Sequence, residues 1–158
     1  MKRSQVVLTT NPKGEVLLLQ RSDGHPMYPL EWCFPGGKLD FMSENIETPS
    51  SERFFSRWED YAESAAREFN EEIGYHLTSF EETKYWLSDN KFIVKVFQAT
   101  VAKDPTKVFP NREHIQWGWF NHANLPDLKP ESMTAVQLKR YFSSSAYTAP
   151  QKAIDLHG

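Results

Sequence analysis

The chain has 158 residues, of which 39% are hydrophobic and 25% charged, and its formal net charge is −3 at neutral pH. That length suits one domain with its own core, and the composition excludes a disordered or membrane-embedded chain. The mild acidity argues against broad binding along a nucleic-acid backbone, yet a few arginines and a bound cation suffice locally for a small phosphorylated ligand.

Met1-Lys2-Arg3 is followed by an apolar stretch too short for a signal sequence, and no segment approaches a membrane span. A cytoplasmic protein is therefore the default expectation. Val6-Val7-Leu8 and Val16-Leu17-Leu18-Leu19 flank Asn11-Pro12-Lys13-Gly14, the pattern of a hairpin. A polar loop follows from Ser22 to about Glu31, then a short strand at Trp32-Cys33-Phe34. Cys33 is the only cysteine, so no internal disulfide forms, and its strand setting reads as inert. Pro35-Gly36-Gly37 predicts a turn where the main chain can approach a ligand or ion closely.

Residues 40–58 mix Ser, Asn, Thr and Pro with the apolar set Phe54, Phe55 and Trp58. A helix is predicted from about Glu59 to Ile73, with Gly74 past its end. Further strands are predicted near Thr83–Trp86, Phe92–Ala99 and Gln116–Phe120, with turns at Ser88-Asp89-Asn90 and Asp104-Pro105. A closing helix from about Ser132 to Phe142 completes a domain of residues 1–143, and residues 144–158 read as a loosely ordered polar tail.

The densest chemistry lies in Arg67-Glu68-Phe69-Asn70-Glu71-Glu72-Ile73-Gly74. At roughly 100° per residue, Glu68, Glu71 and Glu72 share one helical face, while Ala62, Ala65, Ala66, Phe69 and Ile73 fall on another, suited to packing on a sheet. Like charges at this spacing repel. A divalent cation offsets that repulsion, and hard carboxylate oxygens suit Mg²⁺, with Mn²⁺ the alternative. A solvated acidic face is the plain alternative for such a cluster taken alone.

Gly37, then Glu59, then Arg67-Glu68-Phe69-x-Glu71-Glu72-x-Gly74-Tyr75 resembles the Nudix box, and Trp32-x-Phe34-Pro35-Gly36-Gly37-Lys38 looks like the lead-in of MutT-like members. The resemblance covers about residues 4–142 and implies an α/β/α sandwich around a mixed β-sheet. It departs from the pattern in one place. The family has five residues between its glycine and first glutamate, whereas residues 38–58 number twenty-one here. The excess is an insertion at about 40–58, read either as surface decoration or as a lid in which Arg53 or Arg57 touches phosphate and Phe54 or Phe55 covers a base.

The insertion leaves two arrangements open. Phe54, Phe55, Trp58, Tyr61 and Ala62 are in phase with Ala65, Phe69 and Ile73, which permits one helix from about Ser51 to Ile73 with Glu59 turned away from Glu68 and Glu72. In that case Glu44 substitutes for Glu59. A break near Trp58–Glu59 is preferred, because Glu59-Asp60-x-x-Glu63 so resembles the family's helix start.

The resemblance implies Mg²⁺-dependent hydrolysis of a nucleoside diphosphate linked to another group, first of all a nucleoside triphosphate giving the monophosphate and pyrophosphate. ADP-ribose or nucleotide-sugar cleavage, and a non-catalytic nucleotide-binding module, are the alternatives. It places Glu59, Arg67, Glu68, Glu71 and Glu113 in the catalytic apparatus, with Arg67 as an orienting partner. Metal ligation falls to Gly36 (through its carbonyl), Glu68, Glu71, Glu72 and Glu113. Glu113, six residues before Trp119-Phe120 and followed by Leu125-Pro126, matches the loop that supplies a further ligand or general base. Arg21, Gly37 and Lys38 are the substrate-binding candidates, and His114 reads as an ordinary surface histidine. The stretch Asp127-Leu128-Lys129-Pro130-Glu131 lacks the asparagine expected of members that read oxidised guanine. The partner is a small nucleotide, with no membrane and no strong nucleic-acid signal, and a homodimer is left open because many relatives are dimers.

Overall fold

The computed structural model describes residues 1–48 and 51–143, with side chains outside 42–56. Its strands are β1 (Lys2–Thr10), β2 (Val16–Arg21), β3 (Trp32–Cys33), β4 (Gly36–Lys38), β5 (Phe41–Thr48), β6 (Ser51–Trp58), β7 (Glu81–Ser88), β8 (Phe92–Thr100) and β9 (His114–Phe120), with helices α1 (Tyr61–Ile73) and α2 (Met133–Ser143). The first apolar runs form the expected hairpin, closing at Thr10↔Val16. β1 lies in the middle of a mixed sheet, antiparallel to β2 and β4 and parallel to β8 from Lys2↔Phe92 to Thr10↔Thr100. The path runs β3-β2-β1-β8-β7, with β9 paired to β2.

Alternation along the central strands divides the core. Val7, Leu17 and Leu19 join Ala65, Phe69 and Ile73 of α1 on one face. Leu8, Val16 and Leu18 join Leu138 and Tyr141 of α2 on the other. Strands covered on both faces need unbroken apolar runs, which explains why Val16 to Leu19 shows no polar alternation. The result is the α/β/α sandwich with a mixed sheet. Phe69 is fully buried, and burying such a side chain contributes about 2–3 kcal/mol. Ala62, expected on the packed face, is exposed.

Helix α1 starts where its cap dictates. Asp60 is extended and accepts from the Glu63 amide at 2.8 Å, while the Glu63 carboxylate accepts from the Asp60 amide at 3.1 Å. This reciprocal box stops the helix from running back into the insertion. Gly74 closes the other end at φ 100°, where other residues are strained.

The single helix from Ser51 to Ile73 does not form. The insertion is instead a two-stranded antiparallel hairpin, pairing Phe41↔Trp58 through Thr48↔Ser51. Aromatic spacing that suits a helix face also suits a strand, and the capping box decides between them. Trp58 stays half exposed against Phe41 rather than entering the core. The expected glycine turn also differs, because Gly36 to Lys38 form a short strand on β1. A Cβ on Gly36 would stand 2.2 Å from the Gln5 carbonyl oxygen, so only glycine allows this approach.

Candidate active site

The base of the hairpin meets the start of α1 at Glu59. Its carboxylate is buried and accepts from the Asp40 amide at 2.8 Å. Arg67, two turns along α1, grips it through both ends of its guanidinium, Nε to Oε2 at 2.9 Å and Nη2 to Oε1 at 2.7 Å. The same guanidinium reaches Glu68 at 3.1 Å, Glu71 at 3.2 Å and Asp40 at 3.2 Å. Arg67 holds the Glu59 carboxyl below its ordinary range, and Glu59 in turn raises Arg67.

Glu68 and Glu72 turn to a cavity of about 220 Å³ whose lining includes Arg21, Gly36, Gly37, Lys38, Glu113 and His114. Glu72 accepts from the Gly36 amide at 2.8 Å and is otherwise enclosed. Burial, with Glu68 nearby, pushes its carboxyl well above the ordinary range. Burial likewise pushes Glu68 up to about 7 against the pull of Arg67, with Glu71 adding to the rise. A Cβ on Gly37 would lie 2.6 Å from Glu68 Oε1, so this glycine is what admits the carboxylate.

His114 is buried rather than on the surface, with Nε2 3.4 Å from Glu72 Oε2. Glu72, Glu113 and His114 each offer one donor atom, all within 4.8 Å of one another, a spacing able to hold a cation. A buried and a partly buried carboxylate, both forced toward neutrality beside a third, are the donor set a divalent cation stabilises, because its charge restores their ionised forms.

A family model described as the NUDIX domain matches residues 1–142. The chain belongs to the NUDIX domain family. Its fold is similar to that of the MutT NUDIX hydrolase from Burkholderia pseudomallei, at TM-score 0.61 and 22% identity over 87% of this chain and 95% of that one. The MutT protein from Methanosarcina mazei Go1 is similar at TM-score 0.58 and 24% identity, over 90% and 96%. An ADP-ribose pyrophosphatase from Streptococcus suis follows the same fold at TM-score 0.55 and 16% identity, over 94% and 96%. No curated protein matches the chain. Among the described residues, no helix is long and apolar enough to cross a membrane.

The Nudix box thus divides in space. Glu68 and Glu72 line the cavity, whereas Glu71 is more than half exposed on the Arg67 side. Glu59 lies with Arg67, as the helix break requires, and not at the cavity lining. The Glu44 side chain lies outside the described residues, as do those of Arg53, Phe54 and Phe55. Arg57 is held by Glu63 at 2.7 Å on the outside of α1. Arg21 lines the cavity, donates to the Met27 carbonyl at 3.0 Å and stacks over Tyr28. Lys38 is exposed at the same cavity, and Glu113 stands exposed beside buried His114. Cys33 is buried, its thiol pushed up to about 11 chiefly by burial, which fits an inert strand residue. The signal for His114 was weak in sequence, because adjacency to Glu113 says nothing of burial.

Proposed function

We propose that this Nudix domain, residues 1–143, hydrolyses a diphosphate linkage in a nucleoside diphosphate derivative, first of all a nucleoside triphosphate, with Mg²⁺ or Mn²⁺ as cofactor. The observation that carries the reading is the buried Glu72 and the partly buried Glu68 facing a cavity that Arg21 and Lys38 also line. A divalent cation there supplies positive charge to the diphosphate oxygens and acidifies bound water.

Glu68, Glu72 and the Gly36 carbonyl would hold the cation, with Glu113 as a further ligand, and Glu71 would join only by leaving Arg67. Arg21 presents a planar fork to a phosphate, and Lys38 adds a point charge at the mouth. Gly37 keeps the strand close without a side chain in the way. Water attacks one phosphorus of the bridge, the bond from that phosphorus to the bridging oxygen breaks, and the departing phosphate carries away the electron pair. In this reading Glu113, which lines the cavity, accepts the proton of that water. Arg67 and Glu59 act as positioning residues, fixing the helix that carries the two cavity carboxylates.

ADP-ribose or a nucleotide sugar is the second reading, supported by the fold shared with the Streptococcus suis ADP-ribose pyrophosphatase. A binding module without turnover is disfavoured because Glu68, Glu71 and Glu72 are all retained. A phosphate-release screen over nucleoside triphosphates, ADP-ribose, nucleotide sugars and dinucleoside polyphosphates, with and without Mg²⁺, tests the reading. Metal-dependent turnover of a triphosphate is expected. Ligand-induced melting shifts without turnover of any compound would overturn it.

A further inference from the structure

His114 is the buried group at the cavity that the carboxylate reading leaves unused. It opens β9 opposite Arg21, where β2 carries a register shift between Gln20 and Arg21. Its side chain is 4% exposed, with Nε2 facing Glu72 Oε2 at 3.4 Å and Cys33 Sγ at 4.0 Å. Two ligands on opposite sides of one ion, each bound at about 2.1 Å, stand about 4.2 Å apart. The donors of Glu72, Glu113 and His114 lie within 4.8 Å of one another, so small side-chain movements bring all three onto one ion.

Neutral imidazole is the form that binds metal. Mg²⁺ takes oxygen donors and sheds water reluctantly, whereas an imidazole nitrogen binds first-row transition ions better. We propose that His114 coordinates the cation of this site through Nε2 and so biases the centre toward Mn²⁺ and later first-row ions over Mg²⁺. The proposal rests on the metal-dependent reading above. The competing arrangement has His114 only as an outer hydrogen-bond partner that orients Glu72, which leaves the ion with oxygen ligands alone.

Mn²⁺ bound to the intact chain distinguishes the two. Electron spin-echo modulation should show ¹⁴N coupling from a directly bound imidazole, and calorimetric titration should give a Kd for Mn²⁺ at least about tenfold below that for Mg²⁺. His114→Leu should abolish the coupling and weaken Mn²⁺ binding about tenfold or more, with Mg²⁺ affinity moving far less. A wild-type spectrum without coordinated nitrogen overturns the proposal, as does an unchanged ratio of Mn²⁺ to Mg²⁺ affinity in the variant. If His114→Leu fails to fold, the wild-type spectrum decides alone. The metal-dependent reading fails separately, and takes this proposal with it, if Mn²⁺ does not bind or if Glu72→Gln leaves its binding intact.

Discussion

Around helix α1 the same side chain lives in two electrostatic settings. Glu59 and Glu71 end on the Arg67 guanidinium, Glu59 buried and doubly bonded to it, Glu71 largely in solvent. Glu72 ends in the cavity with one backbone amide as its hydrogen-bond donor, and Glu68 has one contact to Arg67 that does not offset its burial. One side is already neutralised by the protein. The other is left short of positive charge where a ligand can reach it. Compensation, and not residue type or helical spacing, separates a structural carboxylate from a functional one.

The comparison breaks most sharply at Glu72. Replacing it with Gln should lower hydrolytic turnover at least about a hundredfold, an effect of the size that metal-site changes produce. The metal-free variant should melt no lower than wild type at pH 8, because a costly buried carboxyl is gone. Turnover that survives in a phosphate-release assay would place the cation elsewhere.

The compensated side responds in stability. Arg67→Ala leaves Glu59 buried with the Asp40 amide but without its guanidinium. Breaking a fully buried pair costs about 3–5 kcal/mol, and solvent screening at Arg67, whose side chain is 27% exposed, reduces the expected loss to about 2 kcal/mol. A shift in the urea midpoint reads this directly, and an unmoved midpoint would uncouple Glu59 from the fold.

The smallest effect lies in pH dependence. In the metal-free protein, Glu68 keeps its proton up to about 7, while the unfolded chain releases it near 4.5. The folded state therefore binds more protons in that window, and the Glu68 contribution to stability falls as pH rises through it. His114 works oppositely: its folded value of about 4 lies below the ordinary 6.5, so its contribution is lost as pH falls from 6.5 toward 4. The His114 part is common to wild type and Glu68→Gln and cancels in their difference. Melting temperatures should converge near pH 4 and separate in favour of the variant by pH 7 to 8, and divalent cation should close that gap. A gap independent of pH would mean that Glu68 is ionised throughout.

Much of the architecture was legible from local chemistry. The hairpin at Asn11 to Gly14 and the Gly74 cap are signals carried within a few residues, and they fixed β1, β2 and the end of α1. The helix break that returns Glu59 to the box was preferred because Glu59-Asp60-x-x-Glu63 resembles the family's helix start, and the Asp60–Glu63 capping box is the physical cause that the structure adds. The β5–β6 hairpin was not legible, since spaced aromatics fit either helix or strand. The burial of His114 was equally hidden, because it depends on packing against β2 and Glu72 from distant parts of the chain.

The sequence by itself determined the first hairpin, helix α1, the later strands and the crowding of glutamates at helical spacing, because each follows from neighbours along one chain. Only the tertiary structure decided which glutamates are satisfied. That division depends on where one guanidinium and one strand of glycines come to rest against α1, which turns Glu59 and Glu71 to Arg67, leaves Glu68 and Glu72 at a cavity, and sets a buried imidazole beside them.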